Sequence, residues 1–218
     1  MASLIYRPES WVDPLPIAGL FPQVQPIEVE LGSGDGSFLA TWAGHHRDRN
    51  FLGVERLLGR LRKLDRKACR LELTNLRLMR VEASYLLNYL LPPASIDALH
   101  LYFPDPWPKR KHRKNRLVNA AFVAAAARVL IPRGVVHLRT DDEDYFQQMR
   151  QVFAADPQFA ESETPATLAA VVTDFERDFN AQGIITRRAS YTSMIGPPPE
   201  SGPPERGGPF PRCTEIRA

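Results

Sequence analysis

"IEVELGSGDGSFL", residues 27–39, is a β-prone run of five residues that breaks into glycines spaced G-x-G-x-G before Phe38 and Leu39 resume the apolar pattern. A short β-rich segment closed in this way predicts a strand feeding a tight turn. Gly32, Gly34 and Gly36 permit such a turn and let the backbone come close to a ligand. The spacing is neither the G-x-G-x-x-G of dinucleotide-binding sheets nor the G-x-x-x-x-G-K-[ST] of phosphate loops. Glu30, two residues before the first glycine, sets the charge of the place. A carboxylate there repels phosphate and attracts a cation.

Working outward, residues 50–55, 76–81, 95–103, 134–139 and 184–192 are further strand candidates. Between them, residues 56–70 put Leu57, Leu58, Leu61, Leu64 and Ala68 on one face of a helix. Residues 116–130 form a second helix stopped by "IPRG", and residues 173–183 a short one ending at Gly183. Alternation of strand and helix predicts an α/β fold, a parallel sheet with helices on both faces. At the end of its second strand such a sheet places a carboxylate that accepts hydrogen bonds from two ribose hydroxyls, and Glu55 stands there. Glu82, after the third strand, is in reach of an adenine amino group. Alone, the glycine loop is also satisfied by a plain strand–turn–helix. The ordered set Glu30, Gly32, Gly34, Gly36, Glu55 and Glu82 points instead to S-adenosylmethionine, which carries a sulfonium and an ammonium group, with S-adenosylhomocysteine as product and no metal.

The chain has 218 residues, of which 44% are hydrophobic, enough for one α/β domain with a substantial core. Net charge is only +3, so its placement matters more than its sum. Six lysines and arginines fall within 109–116, and a second basic stretch runs from Arg56 to Arg70. The first suggests a polyanionic partner, whereas the second reads as a solvated helix face. Cys69 and Cys213 are the only cysteines, too few for a disulfide framework, and a reducing cytoplasm fits. "MASLIYRPESWVDPLP" lacks the features of a signal peptide. "AAFVAAAARVLI" is too short to span a bilayer, is interrupted by Arg128, and predicts a buried helix, so no membrane association is expected. In "GPPPESGPPERGGPFP", residues 196–211, seven of sixteen residues are proline and four are glycine. The expected organisation is therefore one domain over 1–195 and a flexible tail over 196–218.

"YFPDPWPKRKHRKNR", residues 102–116, sets one acid at the mouth of the basic run. Asp105 follows the fourth strand of the set. In open α/β sheets, ligands lie beyond the carboxyl ends of the strands, near the switch in strand order, so Asp105 is expected to face the methyl donor. Pro104 and Pro106 stiffen the turn, and Trp107 offers a plane on which a base can stack. Arg110, Lys111, Arg113, Lys114 and Arg116 supply phosphate contacts. A carboxylate accepts hydrogen bonds from the ring N–H and amino group of guanine, so a lone acid beside a basic groove makes sense if the groove holds RNA. Simpler roles exist for each part. Aspartate forms turns, and a basic octamer can be a solvated loop or a targeting signal.

"FPDPWPKRKHRKNR" closely resembles the signature of the tRNA (guanine-N7)-methyltransferases of the bacterial single-chain type. The similarity runs from about Ile27 to Tyr191 and includes "ELGSGDGSFL", "FLGVER", "NLRLMRVEA", "LRTDDEDY" and "TDFERDF". The resemblance implies a Rossmann-like class I S-adenosylmethionine-dependent methyltransferase fold with a mostly parallel seven-stranded sheet. It implies methylation of N7 of a variable-loop guanine, standard tRNA position 46, with tRNA as partner. No obligatory protein partner is implied, the chain acting as monomer or homodimer. It makes Asp105 the catalytic residue, the acid of the active site, and assigns Lys109, Asp141, Thr173, Asp174, Phe175 and Glu176 to the substrate. Local alternatives for these residues are a helix cap at Asp141 and a T-x-x-E capping box at Thr173 and Glu176. Glu82 stands where the family usually has aspartate, and the segment before the first strand is short for the family. Two other functions fit the residues: a same-fold methyltransferase for another base or an exocyclic amine in RNA or DNA, and a non-catalytic RNA-binding module.

Overall fold

The computed structural model describes residues 3–194 and residue 196. Except for Gly196, the expected tail lies outside the described residues, as does Cys213. Strands β1 (Ile5–Tyr6), β2 (Ile27–Leu31), β3 (Asn50–Val54), β4 (Leu76–Met79), β5 (Ile96–Tyr102), β6 (Leu130–Thr140), β7 (Phe159–Ser162) and β8 (Arg187–Ser193) form one sheet. Its order is β1-β4-β3-β2-β5-β6-β8-β7. The first six strands run parallel, and β8 is antiparallel to both β6 and β7. The sheet thus has eight strands among the described residues, one more than the family resemblance implies. The extra one, β1, covers only two residues on the outer edge of β4, too short to leave a periodic signal in the sequence.

Helices α1 (Leu39–His45), α2 (Leu58–Arg70) and α6 (Ala166–Ala170) contribute to one core cluster. The single turn α3 (Ala83–Tyr85), the π-helical turn that continues it over Leu86–Leu90, α4 (Ala120–Val129) and α5 (Glu143–Ala154) lie against the other. Helix α7 (Asp174–Ala181) precedes β8. In α2, Leu61, Leu64 and Ala68 are buried as their spacing predicts. Leu57 is not. It caps the helix in an extended conformation and is 47% exposed. The predicted 116–130 helix starts only at Ala120, because the Asn119 side chain accepts from the Phe122 amide and ends the extended segment before it. It stops at Val129, and Leu130 already belongs to β6.

Chain order reverses across β2, whose neighbours are β3 and β5. This is the switch point at which ligands bind in open α/β sheets. The glycine loop leaves β2, and the Asp105 turn leaves β5, at the same edge of the sheet.

Candidate active site

Side chains alternate along β2, so Ile27, Val29 and Leu31 enter one apolar core while Glu28 and Glu30 share the other face. Glu28 is held by Trp42, Arg49 and His100, which keep its carboxyl ionised down to about 2 despite burial. Glu30 has no such set. It is 4% exposed, and its Oε2 has no hydrogen-bond partner among the described residues. The loop that follows crosses to β3: the amides of Gly32 and Ser33 both donate to the Val54 carbonyl, at 2.9 and 2.8 Å. Gly32, Gly34 and Gly36 take φ of 81°, 56° and 78°, the left-handed region. At Gly36 space also decides, since a Cβ there would lie 2.1 Å from Cδ1 of Leu64. The Glu55 carboxylate, buried at the end of β3, accepts from the Gly34 amide at 3.1 Å and the Leu57 amide at 2.7 Å. Glu82 is exposed and caps α3, accepting from the Tyr85 amide at 3.0 Å and from the Ser84 hydroxyl. These two bonds and an attraction to Arg56 hold its carboxyl below the usual range against partial burial, so it presents a charged oxygen.

The Asp105 turn is bounded by two aromatic residues in the left-handed region, Phe103 at φ 50° and Trp107 at φ 44°. Bulky residues avoid this region, and backbone held there is found at sites where position matters more than local comfort. The Phe103 amide donates to the Arg139 carbonyl at 2.8 Å, fixing the near end. Arg116 fixes the far end: its Nε donates to the Pro106 carbonyl at 2.7 Å. Its other nitrogens bond Gln148 at 2.9 Å and Asp144 at 2.6 Å, and its guanidinium lies 4.7 Å from the centre of the Tyr145 ring. Arg116 is 2% exposed. The expected phosphate contact at Arg116 is therefore corrected: the side chain is spent inside the fold, tying the Asp105 turn to α5. Asp105 itself is exposed.

Lys109, Arg110, Lys111 and Lys114 are exposed and make no ion pair among the described residues. Arg113 pairs with Asp144 at 3.0 Å, both about half exposed. Asp141 follows β6 at the same sheet edge. The helix cap there is Asp142, which accepts from the Tyr145 amide, so the Asp141 carboxylate is not used as a cap.

The segment bearing α6 and α7 is fastened by one guanidinium. Arg139, 1% exposed, donates to the carbonyls of Leu168 and Val171 at 2.6 and 2.7 Å and to Glu176 at 2.7 Å. It lies 4.3 Å from the centre of the Tyr102 ring. Glu176 is fully buried, pairs also with Arg188, and completes a capping box with Thr173, itself 4% exposed. Thr173 and Glu176 therefore shape α7 through a buried capping box, the local role that the sequence allows beside substrate binding. Asp174 and the 48% exposed Phe175 remain available. The Phe175 ring lies 6.4 Å from Phe103, beside the Asp105 turn. Sequence reasoning passed over Arg139. Its trace in the sequence is an arginine at the end of the strand candidate 134–139, two residues after His137.

A cavity of about 630 Å³ runs between the Gly32–Glu55–Glu82 side of the site and the Asp105 turn. One wall carries Gly32, Glu55, Arg56 and Glu82; the other carries Asp105, Trp107, Lys114 and Arg116. Its size suits a nucleoside-like ligand. The acids also suit it. Glu55, in the lining, fits a ribose diol; Glu30, whose unpartnered oxygen fits an ammonium group, lies buried on β2 and is not among the lining residues.

Burial lifts the Glu30 carboxyl to about 8, against the pull of Arg139 and with help from Glu55 and Asp35. In the unfolded chain the same group titrates near 4.5, so between those values the folded state holds the extra proton and stability falls as pH rises. Ligand-free Glu30→Gln is therefore expected to melt above wild type at pH 9 and level with it at pH 4.5. Thermal unfolding across pH tests this, and parallel curves would contradict it.

No helix among the described residues is long and apolar enough to cross a membrane, and no group of three or more His, Cys, Asp or Glu there could hold a metal ion. Residues 24–187 match the model of a family described as "Putative methyltransferase". The tRNA (guanine-N(7)-)-methyltransferase of Dechloromonas aromatica strain RCB is 38% identical over 149 residues, 68% of this chain and 61% of the relative. The chain thus spans less than two thirds of that relative's length. The protein of the same name from Thiobacillus denitrificans strain ATCC 25259 / T1 is 35% identical over 177 residues, 80% of this chain and 76% of the relative. The solved 16S rRNA methyltransferase KamB shares the fold, with a TM-score of 0.57 and 15% identity over 80% of this chain and 90% of that one. The Rossmann-like class I methyltransferase fold expected from the sequence is the one found. With residues 24–187 matched by the family model and a relative 35% identical of which this chain covers 76%, the chain belongs to the tRNA (guanine-N7)-methyltransferase family.

Proposed function

We infer that the protein transfers a methyl group from S-adenosylmethionine to N7 of a variable-loop guanine in tRNA, forming 7-methylguanosine. One observation carries this: Asp105 stands between a cavity fitted to the donor and an exposed basic run fitted to RNA. The names of the relatives support the same substrate. We assign the reaction to residues 1–195, working in the cytoplasm, and no role to 196–218.

Glu30, the glycine loop, Glu55 and Glu82 would hold the donor. When bound, it supplies a sulfonium methyl that N7 attacks with its in-plane lone pair, without loss of a proton. The residues of this chain then position and stabilise. Asp105 accepts from the guanine ring N–H and amino group, and its charge offsets the positive charge that grows on the ring. Trp107 offers the base a plane. Lys109, Arg110, Lys111, Lys114 and, by exchange with Asp144, Arg113 hold phosphates. Asp141, Asp174 and Phe175 border the substrate. The pinned ends of the 103–107 turn keep the acid where a near-attack geometry needs it.

Incubation with labelled donor and bulk tRNA, followed by mapping of the modified nucleoside, tests the proposal. Label on an exocyclic amine, or none, would overturn it. Glu55→Ala is expected to weaken donor binding by about 1.5–3 kcal/mol and tRNA binding much less. Calorimetric titration with S-adenosylmethionine checks this, and an unchanged affinity would remove Glu55 from the site.

A further inference from the structure

Across the cavity from the Asp105 turn, one rim carries exposed basic and aromatic groups. Arg56 and Arg60 line the cavity at the start of α2, with Leu57 between them. Arg80, also exposed, donates through Nε to the Arg56 carbonyl at 3.2 Å. None of the three arginines forms an ion pair among the described residues. Next to them lies the π-helical turn 86–90, a rare conformation that recurs at functional sites. Tyr85 precedes it and Tyr89 lies within it, with ring centres 5.0 Å apart, and Tyr89 is 62% exposed. The Tyr85 hydroxyl donates to the Trp11 carbonyl at 2.7 Å, which brings Trp11, 45% exposed, to the same rim. Ser84 and Asn88, from the same turns, line the cavity itself.

Exposed aromatic planes beside exposed guanidinium groups are the combination that binds unpaired nucleotides. Every base has a face that stacks, and every phosphate takes a cation. The positive charge matches that of the basic run on the opposite rim, so one polyanion can touch both. We propose that the Trp11–Tyr85–Tyr89 rim with Arg56, Arg60 and Arg80 is a second RNA-contact surface, which stacks unpaired nucleotides near the target while the 109–114 run holds phosphates on the other side. It rests on the RNA reading of the site given above. The Tyr89 ring is the outermost stacking plane, and Tyr85, steadied through its hydroxyl, backs it.

The full chain, titrated by fluorescence anisotropy with tRNA and with a base-paired RNA of equal length, decides it. Tyr89→Ala is expected to raise the Kd for tRNA about tenfold, leaving the salt slope, the melting temperature and calorimetric donor affinity unchanged. Tyr89→Phe keeps the plane and is expected to stay within about twofold of wild type, and neither change affects the duplex. Arg80→Ala is expected to lower the log–log salt slope by about 1. Wild-type affinity in Tyr89→Ala, with methylation of tRNA intact in wild type, would overturn the inference alone. Equal loss for duplex RNA, or a change seen only in sedimentation as altered self-association, would also overturn it. Failure of wild type to bind or methylate any tRNA would overturn the underlying reading with it.

Discussion

Asp105→Asn is expected to slow single-turnover methylation about 10²–10³-fold at saturating donor and tRNA. The substitution keeps size and one carbonyl acceptor but removes the charge. Asparagine forms turns as readily as aspartate, and the turn itself is pinned from outside the residue, by Arg139 at Phe103 and by Arg116 at Pro106. A structural role would therefore survive the change. A role in orienting guanine and offsetting its growing charge would not. Binding of tRNA should change little, because phosphate contacts dominate affinity, and removing an acid beside a polyanion favours it slightly. Raising the pH should not rescue the variant, since N7 carries no proton to remove. A rate within about threefold of wild type, less than 1 kcal/mol in barrier, would reduce Asp105 to a turn former.

Glu176→Ala is expected to destabilise the fold by about 3–5 kcal/mol, lowering the melting temperature by roughly 10 °C. The change leaves Arg139, 1% exposed, with two carbonyl acceptors and no counter-charge, and it opens the capping box of α7. Arg139→Met combined with Glu176→Ala should recover part of the loss, because no charge is then left buried alone. Thermal unfolding of the two single variants and the double variant measures the coupling. If Glu176 served the substrate instead, Glu176→Ala would lose tRNA affinity and melt within a few degrees of wild type.

The parts of the site that lie close together in sequence were legible there. The glycine loop and its acid span a few residues, Glu55 ends one predicted strand and Glu82 follows another, and the Asp105 turn is bracketed by prolines. Residues whose partners are distant were not legible. Nothing in "KRKHRKNR" distinguishes Arg116 from its five basic neighbours; what turns it inward is Asp144 and Gln148 on α5 and the Pro106 carbonyl. Likewise Thr173 and Glu176 are a capping box in any setting, and only Arg139 and Arg188 explain why the box is buried. Leu57 fitted the apolar face of α2 by spacing, but the helix begins one residue later and Leu57 turns to the cavity. Helix α5 did leave a signal that was passed over: Tyr145, Met149 and Phe153 recur every four residues behind the Asp142 cap, and all three are buried.

The order β6-β8-β7 sets a schedule for biosynthesis. β7 emerges from the ribosome before β8, yet among the described residues its only sheet partner is β8, so it must wait, unpaired, until β8 arrives. β8 also delivers Arg188 to Glu176 and the Arg187 guanidinium to Glu143, closing the α6–α7 segment and the start of α5 in the same event. A nascent chain halted before Arg187 therefore lacks two strands rather than one, with the β6 edge open and Glu176 short of a partner. Until β8 pairs, that exposed edge is what a chaperone would find to bind.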